Sequence, residues 1–86
     1  MTNMRAKFQI HSVRRNLDHK GEVGSETVDM SPVCKSGAYP ADGSDEDNTF
    51  AKFSPSGSLS LTVANPALMG QFKPGQKFYC DFTPAE

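Results

Sequence analysis

Period-two alternation of apolar and polar side chains recurs in three separate stretches of this chain, and it restricts the fold more than any other feature. Leu59, Leu61 and Val63 alternate with Ser58, Ser60 and Thr62. Phe78, Cys80 and Phe82 alternate with Tyr79 and Asp81. Met4, Ala6, Phe8, Ile10 and Ser12 alternate with Arg5, Lys7, Gln9 and His11. Successive side chains of a strand point to opposite faces, so each stretch reads as a half-buried strand, the one from Met4 to Ser12 with a basic outer face.

The segments between them fill in the order. Arg14 to Gly21 is polar and turn-rich and closes a hairpin, with Asn16, Asp18 and Gly21 suited to turn geometry. Glu22 to Cys34 is a second strand, with Gly24 marking a bulge and Pro32 an edge or a strand end. Residues 35–48 (KSGAYPADGSDEDN) are a loop, long for so small a domain. Thr49 to Ser54 resumes extended structure, and Pro55-Ser56-Gly57 turns the chain into the Leu59 strand. Asn65 caps and Pro66 begins a helix of about one turn near 66–71, with Leu68 and Phe72 spaced to pack together. Pro74-Gly75 fits the centre of a type II turn before the last strand, 77–83. Met1 to Asn3 and the end of the chain are short tails. The expectation is a single domain over 1–86, mainly β, in the order β-β-β-β-α-β. Five antiparallel strands with one short helix would form a small barrel or sandwich, since closure removes exposed edges.

Length and composition narrow the function classes. At 86 residues the chain holds one small domain that buries a modest share of its surface, so a homo-oligomer is expected. The net charge of -1 leaves no global nucleic-acid footprint. Arg5, Lys7, Arg14, Arg15 and Lys20 make the first stretch basic, and Asp42, Asp45, Glu46 and Asp47 make the middle acidic. The acidic run reads as a solvated loop. Two cysteines, Cys34 and Cys80, are too few for a disulfide framework, no secretory leader is visible, and no apolar run is long enough to span a membrane. The default is a soluble cytosolic protein with free thiols.

The chemistry-bearing residues point to binding. Neither Cys34 nor Cys80 lies in a nucleophile motif, and Cys80 has core parity. His11, His19, Cys34 and Cys80 have no close zinc-ligand spacing. The acidic run fails as a calcium loop, with Asp47 where Gly is needed and Phe53 where the bidentate Glu belongs. No catalytic residue, metal or cofactor is expected. Phe53 and Tyr79 have outward parity and offer rings for stacking, Lys7, Lys52 and Arg5 offer charge for phosphates, and Ser54 and its neighbours offer hydroxyls. Lys52, Phe53, Ser54 and Tyr79, with Lys7 or Arg5, are the expected ligand-binding set.

The string FAKFSPSGSLSLTVANPALMGQFKPGQKFYCDFTPAE resembles a widespread set of small, mostly uncharacterised tailed-phage proteins. The resemblance rests on an aromatic strand at Phe50 to Phe53, S-P-S-G at Ser54 to Gly57, and Leu-x-Leu at Leu59 to Leu61. It continues with N-P-A at Asn65 to Ala67, F-x-P-G at Phe72 to Gly75, and D-F-T-P-A at Asp81 to Ala85. It implies an accessory protein acting in the host cytoplasm or a minor virion part. One accessory class is the viral sponge, which counters host defence by sequestering a cyclic nucleotide signal and hydrolyses nothing. The alternative is a virion or assembly protein acting through protein contacts. A weaker one is an inhibitor of a host nucleic-acid enzyme, with Asp42 to Asp47 mimicking phosphates.

Overall fold

A computed structural model describes residues 4–85, so the expected tails at 1–3 and at Glu86 lie outside the described residues. Four strands form one antiparallel sheet: β1 (Met4–Leu17), β2 (Val23–Pro32), β3 (Leu59–Val63) and β4 (Lys77–Phe82), in the spatial order β3-β2-β1-β4. The molecule measures 55 × 32 × 18 Å.

β1 and β2 form the expected hairpin, but β1 runs on to Leu17, so the turn is tighter than the composition of 14–21 implied. Asp18 makes that turn. Its carboxylate accepts the Lys20 and Glu22 N–H groups at 2.8 and 3.0 Å, and Gly21 supplies a φ of 79°. Asn16 lies opposite Ser25 and Leu17 opposite Val23, which leaves Gly24 as the extra residue of a bulge, as expected. A second register shift sets Ile10 against Met30 and Ser12 against Asp29, with His11 between. Pro32 ends β2 inside the sheet and not at its edge.

One face of the sheet is apolar. Ala6, Phe8, Ile10, Val28 and Met30 are its buried core, with Val13, Leu59, Val63, Phe72 and Cys80 packed against them. Each fully buried large side chain contributes about 2 kcal/mol. The 64–76 crossover carries the chain from one edge strand to the other across this face: Phe72 packs on the core with its ring 5.8 Å from that of Phe78, and Gly70 N–H donates to the buried Glu26 carboxylate at 2.9 Å.

Two expectations are corrected. In place of the helix expected at 66–71, residues 66–70 are a run of turns. Asn65 does cap it, accepting Ala67 N–H on its side chain at 3.0 Å and Leu68 N–H on its carbonyl at 2.9 Å. Gly70, at a φ of 82°, ends it before an α-helical ladder can start. Residues 49–54 are irregular and not a strand. The sheet therefore has four strands, and with β3 and β4 both at edges it is open, not a barrel. Pro74-Gly75 matches its reading, with Gly75 at a φ of 95° and Gln76 N–H donating to the Lys73 carbonyl at 3.2 Å.

β1 extends past the end of β2, and the 33–49 segment satisfies its open edge. Val33 N–H donates to the Lys7 carbonyl and Thr49 N–H to the Arg5 carbonyl, both at 2.9 Å. Lys7 N–H donates to Asn48 Oδ1 at 2.8 Å and Arg5 N–H to Thr49 Oγ1 at 2.9 Å. Asn48 is 0% exposed and also donates through Nδ2 to the Val33 carbonyl at 2.7 Å. Asn48→Ala orphans Lys7 N–H and the Val33 carbonyl, at about 1–3 kcal/mol per group. Urea unfolding should register a loss of about 2–6 kcal/mol. A loss below half a kcal/mol would show that water replaces the amide.

Candidate functional site

The 33–58 segment and the polar face beside it hold all six residues expected to bind a ligand, and the structure divides them into two groups. The division starts at Asp45. Its Oδ1 accepts the Asp47 and Asn48 N–H groups at 2.9 and 3.1 Å, and its Oδ2 accepts Asn48 Nδ2, Lys35 N–H and the Tyr39 hydroxyl at 3.2, 3.3 and 3.4 Å. Burial pushes the Asp45 carboxyl up, but the hydrogen bonds from Asn48, Asp47 and Lys35 outweigh it and hold the pKa below its ordinary value.

The acidic run is thus not simply a solvated loop. Asp45 is buried and structural. Lys35 Nζ meets Glu46 at 2.9 Å, an ion pair that raises the lysine and lowers the glutamate through their shared hydrogen bond. Asp47 accepts from Lys7 Nζ at 3.4 Å and from the Tyr79 hydroxyl at 3.3 Å. Asp42 accepts Ser44 N–H at 3.0 Å, the first cause of its lowered pKa.

Arg5, Lys7 and Tyr79 form the first group, on the polar face where β1 meets β4. Arg5 Nε donates to Asp81 Oδ1 at 2.6 Å, and its guanidinium carbon sits 4.9 Å from the centre of the Tyr79 ring. The hydrogen bond with Asp81 raises the arginine pKa further. Arg5 and Lys7, two of the three cations expected to meet phosphate, therefore each face an acid of their own chain. Tyr79 remains 55% exposed. Of the expected hydroxyls, Ser60 is engaged, its hydrogen bond being the first cause of the lowered Asp29 pKa, and Ser12 donates to the same carboxylate at 3.1 Å.

Lys52, Phe53 and Ser54 form the second group, on the outer side of the loop. Phe53 has a φ of 61°, a left-handed conformation uncommon for a large side chain. Its N–H donates to the Gly43 carbonyl at 2.7 Å, its ring lies against Gly43, and the Tyr39 ring is 5.9 Å away. A Cβ at Gly43 would collide with the Phe53 ring, so the glycine is required by both space and its φ of 76°. The Phe53 side chain is still 52% exposed. Two shallow grooves flank it. One of about 430 Å³ is lined by Ser44, Glu46, Thr49, Phe50 and Lys52, the other of about 360 Å³ by Pro32, Cys34, Tyr39 and Ser54. Lys52 has no ion-pair partner among the described residues.

Sequence reading missed Tyr39, Gly43 and the Asp45–Asn48 pair. The available signal was the D-x-x-N spacing at 45–48, which suits an aspartate accepting nearby backbone N–H groups. It also missed Glu26, buried in the apolar face. Glu26 Oε2 stands 3.9 Å from Arg15 Nε, beside a groove of about 570 Å³ shared with Val13, Phe72 and Lys73.

Chemically, this surface offers rings, hydroxyls and one unpaired ammonium group. Burial raises the Cys80 thiol, while Cys34 is exposed. Among the described residues no group of three or more His, Cys, Asp or Glu is placed to hold a metal, and no helix is long and apolar enough to cross a membrane. No family model matches this chain, and no curated protein or solved structure is significantly similar to it.

Two outcomes follow from this geometry. At a left-handed position glycine relieves about 1 kcal/mol that alanine retains. Phe53→Gly should therefore unfold at a higher temperature than Phe53→Ala, and the reverse order would mean that Phe53 is unstrained. For Asp45 the pKa is depressed in the folded chain. Its contribution to stability is then present above the ordinary aspartate value and is lost as pH falls through the folded one. The gap in melting temperature between wild type and Asp45→Asn should be wide at neutral pH and should shrink under acid. A gap that does not change with pH would contradict this role.

Proposed function

We propose that this chain is a non-enzymatic phage protein that works by contact, holding a protein partner as a minor virion or assembly component. The observation that carries this reading is the pairing of Arg5 with Asp81 and of Lys7 with Asp47. Cations spent inside the chain are poorly available to phosphates, while the exposed rings of Phe50, Phe53 and Tyr79 remain for a protein surface. The resemblance of the 50–85 stretch to tailed-phage proteins supports the setting. An inhibitor acting by phosphate mimicry draws less support, because Asp45, Glu46 and Asp47 all have internal partners.

A second reading keeps one specific observation in its favour. Lys52, Phe53 and Ser54 are consecutive and exposed, and an unpaired ammonium group, a ring and a hydroxyl are what a cyclic nucleotide needs. In that reading the protein acts in the host cytoplasm and sequesters the signal that triggers defence.

One pair of measurements separates the two. Mass spectrometry of purified virions and assembly intermediates should detect the chain, and Phe53→Ser should reduce its incorporation. Thermal-shift titration with cyclic di- and trinucleotides should leave the unfolding temperature unchanged. A ligand at a hundredfold excess over its Kd would stabilise the fold by about 2.7 kcal/mol. A shift of that size, lost in Lys52→Glu, would replace the first reading with the second.

A further inference from the structure

The sheet ends at two strands, β3 and β4, each paired on one side only, and β4 is the one with charge along its open edge. Ile10 N–H donates to the Gln76 carbonyl at 2.9 Å, and Gly75 N–H to the Ile10 carbonyl at 2.8 Å. Antiparallel bonding alternates along a strand, so Phe78, Cys80 and Phe82 turn their backbone groups toward Phe8, Ala6 and Met4. Lys77, Tyr79 and Asp81 turn theirs outward.

We propose that this edge pairs antiparallel with the same edge of a second copy of the chain, about a two-fold axis at Tyr79, so that eight strands make one continuous sheet. The charge pattern selects both the occupant and the register. Centred on Tyr79, each Lys77 lies opposite Asp81 of the other copy, and opposite charges directly across a strand pair attract. Centring on Lys77 or on Asp81 sets like charges against each other. Centring on Phe78 or Cys80 leaves Lys77 and Asp81 opposite uncharged residues. β3, the other edge, carries no charged residue and has no such complementarity.

The side chains are already arranged for this contact. Arg5 and the Tyr79 ring hold Asp81 and Tyr79 on the polar face. A carboxylate has about four acceptor sites, so Asp81 can take a second cation beside Arg5. On the apolar face Phe78 and Phe82 are 37% and 46% exposed. In the paired sheet Phe82 of each copy lies diagonal to Phe78 of the other, within the reach of aromatic side chains. An isologous edge of this kind closes at two copies and leaves no β4 edge to recruit a third.

Sedimentation equilibrium on the full chain should show a dimer. Lys77→Glu, which turns two attractive pairs into repulsive ones, should weaken it by about tenfold or more while the circular dichroism spectrum stays unchanged. Directly opposed hydrogen-bonded residues have Cα atoms about 5.5 Å apart, a disulfide distance. Tyr79→Cys, with Cys34→Ser and Cys80→Ser, should therefore cross-link on mild oxidation. A monomer at the highest soluble concentration would overturn the proposal, as would a dimer indifferent to Lys77→Glu. Cross-linking through Ser60→Cys in place of Tyr79→Cys would move the contact to β3, and a Cys80–Cys80 link in the unmodified chain would refute the register.

Discussion

β1 is longer than the strand beside it, and the excess has to be satisfied. From Arg5 to Lys7 its inner edge has no β2 to pair with, and unpaired backbone groups in a buried edge are costly. Asn48 and Thr49 supply the missing partners, and Asn48 can do so only because Asp45 fixes the turn that presents it. The loop is therefore part of the sheet in energetic terms. It also explains how a chain with so few fully buried apolar side chains can order a connection of this length. The connection is held by hydrogen bonds to backbone that would otherwise be orphaned, and less by apolar burial of its own.

That arrangement ties the two halves of the candidate surface together. Asp45 holds Asn48 in the sheet edge and accepts from Tyr39, whose ring stands beside Phe53. Asp47, two residues on, holds Lys7 and Tyr79. A left-handed Phe53 persists only where its surroundings over-determine it, and here they do: the Gly43 carbonyl takes its N–H and the bare Gly43 backbone receives its ring. The exposed ring is thus presented by a short chain of fixed contacts and not by a free loop.

What could be read from the sequence is what depends on neighbours a few residues away. Alternation placed β1, β3 and β4 and their apolar faces, Gly24 marked its bulge, and Pro74-Gly75 its turn. Most of the failures involve distant partners. Phe50 and Phe53 suggested a strand, but Thr49 finds only Arg5 to pair with, and Phe53 then leaves extended geometry. Asn65 caps as expected, but no helix follows: Gly70 stops the chain within a turn and hands its N–H to Glu26. Closure into a barrel needs β3 to meet β4, and the crossover instead lies on the apolar face and covers part of it, which removes much of the drive to close.

The uneven charge of the sequence has the same origin. A basic start and an acidic middle, taken separately, suggest a phosphate-binding strand and a solvated loop. Together in one short domain they are partners: Lys7 meets Asp47 and Lys35 meets Glu46, while Arg5 finds Asp81 at the other end of the chain. The exposed Arg5–Asp81 pair adds little stability by itself, while Lys7 and Asp47 are mostly buried. The larger effect of these pairs is on what the surface can bind, because each internal pair removes a cation from the set open to an anionic ligand. Opposite blocks of charge in a chain of this size are better tested first against each other, and only the remainder, which among the described residues is Arg14, Lys20, Lys52, Lys73 and Lys77, assigned to something outside.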